Sequence, residues 1–151
     1  MKIILTESTF NRLMKESKPR ALPNNVLKNE NGEPMVFYHS YEDEDHSDYA
    51  DMIWLSTNKK FSQEFGNMTD MYYACPKKPY ILPGDELQYD DGTVVMFEGE
   101  PAGIGYLDAV DYEYIDWLTS NYDAIMTKNG NFLVVFSKRV LIPIKQKKWA
   151  T

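Results

Sequence analysis

The chain has very little cysteine and no long apolar segment. Cys75 is the one cysteine among 151 residues, so no disulfide can form within the chain and a reducing compartment is the simplest expectation. No stretch approaches the run of about 18 apolar residues that crosses a bilayer. The first seven residues also hold too short an apolar stretch for a secretory signal. We therefore predict a cytoplasmic protein without a membrane partner.

Histidine is scarce as well, since only His39 and His46 are present, and this excludes a histidine-rich metal site. The sequence lacks a phosphate-binding glycine loop, a zinc-binding spacing and a nucleophile elbow. Six acids and no basic residue lie between Glu42 and Asp51. This acidic segment could attract a hard cation, but it lacks the glycine and the distal glutamate of a calcium-binding loop. We predict no metal site.

Basic residues are outnumbered, with 16 Lys and Arg against 23 Asp and Glu, which gives a formal net charge of −7 and a pI near 4.8. Such a chain is a poor general binder of nucleic acid. The last fourteen residues are the exception, because they carry five basic residues and no acid. Blocks of one sign are usually solvated surface, so neither block alone assigns a partner.

The length fits one domain with an N-terminal extension. Thr6 and Glu7 are typical of a helix start, and the apolar residues that follow fit one helical face. Pro19 would end that helix, and the residues after it have the composition of a linker. We predict an appendage over residues 1–28 and a folded domain over residues 29–151.

Short apolar runs bounded by turn residues predict strands at 35–38, 52–55, 71–74, 93–97, 122–127, 131–136 and 140–144. One helix is predicted at 58–66, with Asn58 as its N-cap and Gly66 ending it in a left-handed conformation. The apolar spacing predicts a second helix at 107–120. Asn129 and Gly130 predict a hairpin turn. Because strands dominate, the predicted class is α+β, with two or three helices on the outside.

Three segments carry the residues best suited to hold a ligand. His39 lies at a strand end, Trp54 lies in the next strand, and Phe61 and Phe65 lie one turn apart in the first helix of the domain. Strand ends of a rigid sheet commonly present binding groups, and an imidazole beside aromatic faces suits a flat heteroaromatic ligand. The alternative is that the rings are core and His39 is a satisfied strand-end histidine.

The motifs follow one another as residues 29–40 (NENGEPMVFYHS), 53–57 (IWLST), 61–66 (FSQEFG), 72–82 (YYACPKKPYIL), 122–125 (YDAI) and 131–137 (NFLVVFS). In this order and at these spacings they resemble the ADP-ribosyltransferase-like domains of phage polyvalent proteins and bacterial mobile elements. The resemblance covers about residues 29–144. It implies a split antiparallel β-sheet with NAD+ in a cleft between two half-sheets, inside a bacterial or phage-infected cell.

The resemblance also implies roles for single residues. His39 would hydrogen-bond the adenosine ribose of NAD+, and the backbone of Ser40 would hold the nicotinamide amide. Trp54 would flank the nicotinamide ribose. Phe65 would stack on the nicotinamide ring, and Ser62 would place its hydroxyl on the carboxamide. A nicotinamide held in this way is oriented so that its glycosidic bond can stretch.

The match is incomplete in the last motif, residues 131–137. On the corresponding strand, the third that carries site residues, such transferases have a glutamate that stabilises the charge developing as nicotinamide leaves. Alignment without gaps puts Phe132 at that position, and a slip of one residue offers the uncharged Asn131 as a catalytic substitute. Loss of a charged stabiliser costs on the order of a thousand-fold in rate. The acid could come from elsewhere, and the candidates are Glu113, Asp116, Asp123 and the acidic segment 42–51.

The favoured hypothesis is an NAD+-binding ADP-ribosyltransferase, a toxin-like effector that transfers ADP-ribose to a host protein or nucleic acid and releases nicotinamide. The alternative is a catalytically inactive domain of the same fold that binds a ligand or a partner, or a phage structural or interaction protein. Asp123 is predicted to hold the turn into its strand.

Overall fold

The computed structural model describes residues 22–42 and 52–145. The predicted N-terminal helix, most of the acidic segment after Glu42 and the end of the basic tail lie outside these residues. The strands are β1 (Phe37–Tyr41), β2 (Ile53–Ser56), β3 (Met68–Ala74), β4 (Pro79–Leu82), β5 (Met96–Phe97), β6 (Glu100–Pro101), β7 (Ala124–Thr127), β8 (Phe132–Val135) and β9 (Leu141–Pro143). The α-helices are α1 (Lys59–Gln63) and α2 (Tyr112–Asn121), and 3₁₀ helices lie at Ile104–Tyr106 and Lys138–Val140. The described part contains no helix that is long and apolar enough to cross a membrane.

One sheet of seven strands forms the centre of the molecule, in the order β4-β7-β8-β2-β1-β3-β9. The predicted α+β class is confirmed, but the sheet is mixed and not antiparallel throughout, because β4 and β7 run parallel. Residues 83–123 connect these two strands and include helix α2, and a connection of that length lets the chain cross back and run in the same direction. The short strands β5 and β6 form a separate pair.

The pairing of the sheet is thinnest between β1 and β2, which share the single aligned pair Tyr38–Ser56. By contrast, β1 pairs with β3 along its whole length, and β2 pairs with β8 along its whole length. The sheet is therefore continuous but loosely joined at one seam, near its middle.

The core lies on both faces of the sheet, because neighbouring side chains of a strand point to opposite faces. In β8, Val134 belongs to a cluster with Tyr114 and Leu118 of α2, whereas Leu133 and Val135 belong to a second cluster that includes Phe37, Leu55 and Leu141. Tyr114 and Leu118 are four residues apart and share one helix face. Helix α2 thus covers one face of the sheet beside the seam.

Several predicted elements are shorter than expected, among them the helix predicted at 58–66, which ends at Gln63. The helix predicted from residue 107 begins at Tyr112, and the residues before it form a 3₁₀ helix and turns. Leu107 and Val110 are buried there, and a spacing of three residues fits 3₁₀ turns as well as an α-helix. The strand predicted at 93–97 is reduced to β5.

Residues 22–28, which the sequence analysis assigns to the appendage, contact the strands of the domain. Val26 is 7% exposed. The N–H of Leu27 donates to the carbonyl of Ala74 (2.8 Å), and the carbonyl of Leu27 accepts from Met35 (2.9 Å). Asn24 and Asn25 form a turn, in which the N–H of Val26 donates to the carbonyl of Pro23 (3.1 Å).

The turn predictions give one confirmation and one correction. Gly130 has φ +76° between the antiparallel strands β7 and β8, as a hairpin turn requires. Gly66 is not left-handed, because the positive-φ glycines among the described residues are Gly32, Gly92, Gly99 and Gly130. A Cβ at Gly66 would instead lie 2.2 Å from the carbonyl carbon of Tyr41, so glycine is needed there for a close approach of two backbones.

Candidate functional site

A cavity of about 560 Å³ opens beside the β1–β2 seam. This volume falls within the range of about 300–1,000 Å³ that is usual for ligand sites. Its walls come from β1, β2, α1, the segment that follows the first 3₁₀ helix, and the start of β8. The lining residues are Tyr38, His39, Ser40, Tyr41, Glu42, Trp54, Leu55, Ser56, Phe61, Ser62, Phe65, Ile104, Gly105, Asp108 and Phe132.

All five residues that the sequence assigns to NAD+ binding line this one cavity: His39, Ser40, Trp54, Ser62 and Phe65. They come from β1, β2, α1 and the turn that follows α1. The cavity lies at the loosely paired β1–β2 seam, where α1 and its turn add two aromatic rings to the wall.

His39 joins the two strands across the seam. Its Nδ1–H donates to the carbonyl of Trp54 at 2.9 Å, and its ring stacks on Tyr41 with centroids 5.8 Å apart. Burial lowers the pKa of His39 below its ordinary value of 6.5, although the bond to Trp54 acts in the opposite direction. The imidazole is therefore neutral at pH 7, with Nε2 as its hydrogen-bond acceptor. Nε2 is itself buried, so a ligand would reach it only after a neighbouring side chain shifts.

Three hydroxyl groups form a chain under the cavity. The Oγ of Ser40 lies 2.8 Å from the Oγ of Ser62 and 2.8 Å from the Oγ1 of Thr69. Since each hydroxyl carries one proton, two bonds use two of the three protons, and one end of the chain can still donate outward. The chain joins β1, α1 and β3 and fixes Ser62 at the cavity wall.

The aromatic side chains of α1 and of the turn that follows it are not core residues. Phe65 is 62% exposed and Phe61 is 38% exposed. Phe61 packs edge-on against Phe65 and against Phe132, in each case with centroids 5.2 Å apart. Large rings left open to solvent at the rim of a cavity are typical of a binding surface. The interpretation of these two rings as core is therefore wrong. Trp54, the third ring in that interpretation, is half-buried.

Asn131, the weakest of the predicted site residues, does not line the cavity. Its Oδ1 accepts from the Thr57 hydroxyl at 3.3 Å, and it lines a separate groove. Because side chains alternate along a strand, Phe132 takes the cavity face and Asn131 does not. Asn131 therefore lies outside the cavity, and an aromatic ring lies at the position where the resemblance expects an acid.

Three of the acids proposed as replacements are also placed elsewhere. Asp123 accepts from the backbone N–H groups of Lys77 (2.6 Å) and Lys78 (3.0 Å), so it holds the start of β4 against the start of β7. Glu113 and Asp116 lie on α2 and do not line the cavity. Glu42 is the one member of the acidic segment that the structure describes, and it lines the cavity.

Asp108 lines the cavity, and the sequence analysis missed it. No local motif marks it. Its segment is joined to the cavity by a hydrogen bond in which Nε1 of Trp54 donates to the carbonyl of Ile104 at 3.3 Å. These two residues are 50 positions apart in the sequence. Only such a long-range contact could have singled this residue out.

The cavity offers exposed ring faces, a neutral imidazole, hydroxyl donors and two carboxylates. It suits a flat heteroaromatic ring that carries polar groups and a sugar. Among residues 22–42 and 52–145, no group of three or more His, Cys, Asp or Glu is arranged to hold a metal ion. No model of a known protein family, no curated protein and no solved structure matches this chain, so its function is inferred from the cavity itself.

Proposed function

We propose that the protein binds NAD+ in this cavity and transfers ADP-ribose to a host macromolecule, with release of nicotinamide. One observation supports this most strongly. The five residues that the resemblance assigns to NAD+, chosen from the sequence and drawn from separate elements, surround one cavity of suitable size.

In this proposal the nicotinamide ring stacks against Phe65, which is already exposed at the rim. The outward proton of the hydroxyl chain is donated from Ser62 to the carboxamide oxygen. Trp54 faces the ribose, and its position is fixed by the bond from its indole nitrogen to Ile104. Stacking of this kind contributes about 0.5–1.5 kcal/mol beyond the area buried.

The charge beside the cavity favours a protein acceptor over a nucleic acid. Between Lys78 and Lys128 the sequence has eleven acids and no basic residue. This stretch, residues 79–127, reaches the cavity wall at Ile104, Gly105 and Asp108. A nucleic acid that ran along this stretch would meet like charge at successive phosphates, whereas NAD+ brings a single pyrophosphate, and the Lys and Arg side chains of a protein acceptor would be attracted.

A second candidate function is NAD+ or ADP-ribose binding without transfer. The position of Phe132 favours it, because an apolar ring in the cavity cannot stabilise a developing positive charge. The two candidates share the binding site and differ only in whether the glycosidic bond breaks.

Titration calorimetry with NAD+, ADP-ribose and nicotinamide tests the binding site. Phe65→Ala should weaken NAD+ binding by up to about tenfold, which corresponds to the upper part of the stacking range. The matched control is Tyr112→Ala, because Tyr112 is 78% exposed and does not line the cavity. Absence of NAD+ binding by the unmodified protein, or equal loss in both variants, would refute the proposal.

Two assays separate the two candidates. One measures release of nicotinamide, and the other measures labelling of a host lysate by NAD+ that carries its label in the ADP-ribose part. Release and labelling support transfer. Binding without release supports the binding module, and in that case Phe132→Glu should introduce turnover.

A further inference from the structure

We infer that Asp108 is the catalytic carboxylate of this cavity, taking the electrostatic role that Phe132 cannot fill. This inference rests on the proposed function, and it names the residue that would stabilise the transition state. It depends on three observations: the chemistry of the bond that breaks, the carboxylates that face the cavity, and the way the Asp108 segment is held.

In the reaction, the bond between the ribose C1′ and the nicotinamide nitrogen breaks, and its electron pair leaves with nicotinamide. NAD+ carries a positive charge on that nitrogen, so nicotinamide leaves neutral and the positive charge moves to C1′ and the ring oxygen of the ribose. The acceptor nucleophile then bonds to C1′, and its proton passes to solvent. A carboxylate beside the ribose stabilises the charge without forming a bond.

Two described carboxylates line the cavity, Asp108 and Glu42. They lie on different segments of the chain. Glu42 directly follows β1, the strand that carries His39, which the resemblance places at the adenosine ribose. Asp108 belongs to the segment bonded to Trp54, the ring placed beside the nicotinamide ribose. The charge develops on that second ribose, so Asp108 is the carboxylate on the reacting side.

The backbone around Asp108 is firmly held, which electrostatic stabilisation requires. Leu107 is fully buried and Val110 is 7% exposed, so buried side chains anchor the segment on both sides of Asp108. The N–H of Leu107 donates to Ile104 (3.2 Å), and the N–H of Ala109 donates to Tyr106 (2.9 Å). The Asp108 side chain is exposed at the cavity wall, where it can meet a ligand. A carboxylate on a fixed backbone has only its own side-chain rotation left to order before the transition state.

The test compares Asp108→Asn and Asp108→Glu with Asp111→Asn, a matched control three residues along the chain, exposed and outside the cavity lining. Asp108→Asn should lower kcat for nicotinamide release by about 100- to 1,000-fold, the loss typical of one stabilising group. NAD+ affinity and melting temperature should stay near their original values. Asp108→Glu should keep far more activity than Asp108→Asn, and Asp111→Asn should behave like the unmodified protein.

Restoration of release by Phe132→Glu in the Asp108→Asn background would further support an electrostatic role. The inference is overturned if Asp108→Asn releases nicotinamide at the original rate, if Asp108→Glu is as inactive as Asp108→Asn, or if Glu42→Gln causes the loss in its place. It also fails if the unmodified protein binds NAD+ without releasing nicotinamide. Absence of NAD+ binding is a different result, because it refutes the proposed function itself.

Discussion

Replacement of Gly66 by alanine should disturb both the stability and the binding site. The added Cβ would lie 2.2 Å from the carbonyl carbon of Tyr41, 2.3 Å from its oxygen and 2.6 Å from its Cα. Ordinary contacts between carbon atoms are about 3.5–4.0 Å, so the two backbones must separate by more than about 1 Å. Neither side moves easily, because Tyr41 pairs with Met68 in the β1–β3 ladder and Gly66 lies just before that strand.

The magnitude has two parts. Overpacking of this kind costs about 1–3 kcal/mol. If α1 moves with the loop, the 2.8 Å bond between Ser62 and Ser40 lengthens as well, at a further cost of about 1 kcal/mol. We expect Gly66→Ala to lower the free energy of unfolding by about 2–4 kcal/mol and the melting temperature by about 4–16 °C. NAD+ affinity should fall too, since Phe65 is the adjacent residue.

Urea denaturation followed by tryptophan fluorescence measures the stability change, with Gly84→Ala as the control. A Cβ at Gly84 meets no heavy atom within 4 Å, and its φ is not positive, so this variant should lie within about 0.5 kcal/mol of the unmodified protein. If Gly66→Ala were as stable as Gly84→Ala, the close approach to Tyr41 would not be the reason for glycine at position 66.

Two further predictions concern single buried groups. Burial lowers the pKa of His39 below 6.5, so the unfolded chain binds a proton more readily, and stability should fall as the pH drops below 6.5. The melting temperature should therefore decrease between pH 7.5 and 5.5, and the decrease should be smaller in His39→Gln. An equal decrease in both proteins would contradict this prediction. Tyr114 is 1% exposed, and its hydroxyl donates to the carbonyl of Gln88 at 2.9 Å. Tyr114→Phe removes this bond and should lower the free energy of unfolding, measured by urea denaturation, by about 1–2 kcal/mol. Tyr112→Phe, at an exposed position, should leave it almost unchanged, and equal effects of the two variants would contradict this role of the hydroxyl.

Most strands of the central sheet could be predicted because their signals are local. The continuous apolar run with two valines in 131–136 marks β8, and Asn129 and Gly130 mark the turn before it. The N-cap of α1 is local too, since the Oδ1 of Asn58 accepts from the N–H of Phe61 at 3.0 Å. Each of these features depends on residues within a few positions of one another.

The features that could not be predicted depend on distant parts of the chain. The parallel pairing of β4 with β7 depends on the path of residues 83–123, and no spacing within either strand encodes it. Gly66 has the composition of a helix end, but its conformation is decided by Tyr41, which precedes it by 25 residues. In both cases tertiary packing overrides the local preference.

The candidate site also combines residues that have local sequence signals with a residue placed by distant contacts, and this difference bears on catalysis. Under the proposed function, the groups that would hold a ligand by shape, such as the Phe65 ring, lie within short motifs that have local signals, although His39 lies in the middle of β1 and not at the predicted strand end. The charge that would act on the ligand comes from Asp108, whose place depends on the bond between Trp54 and Ile104. A domain of this kind could therefore keep its binding motifs while its carboxylate moves to another segment, provided that the new segment is bonded to the ring beside the reacting sugar. Under the proposed function, the absence of an acid at position 132 then does not by itself make the domain inert, and the comparison of Asp108→Asn with Asp111→Asn decides between an acid supplied by another segment and no acid.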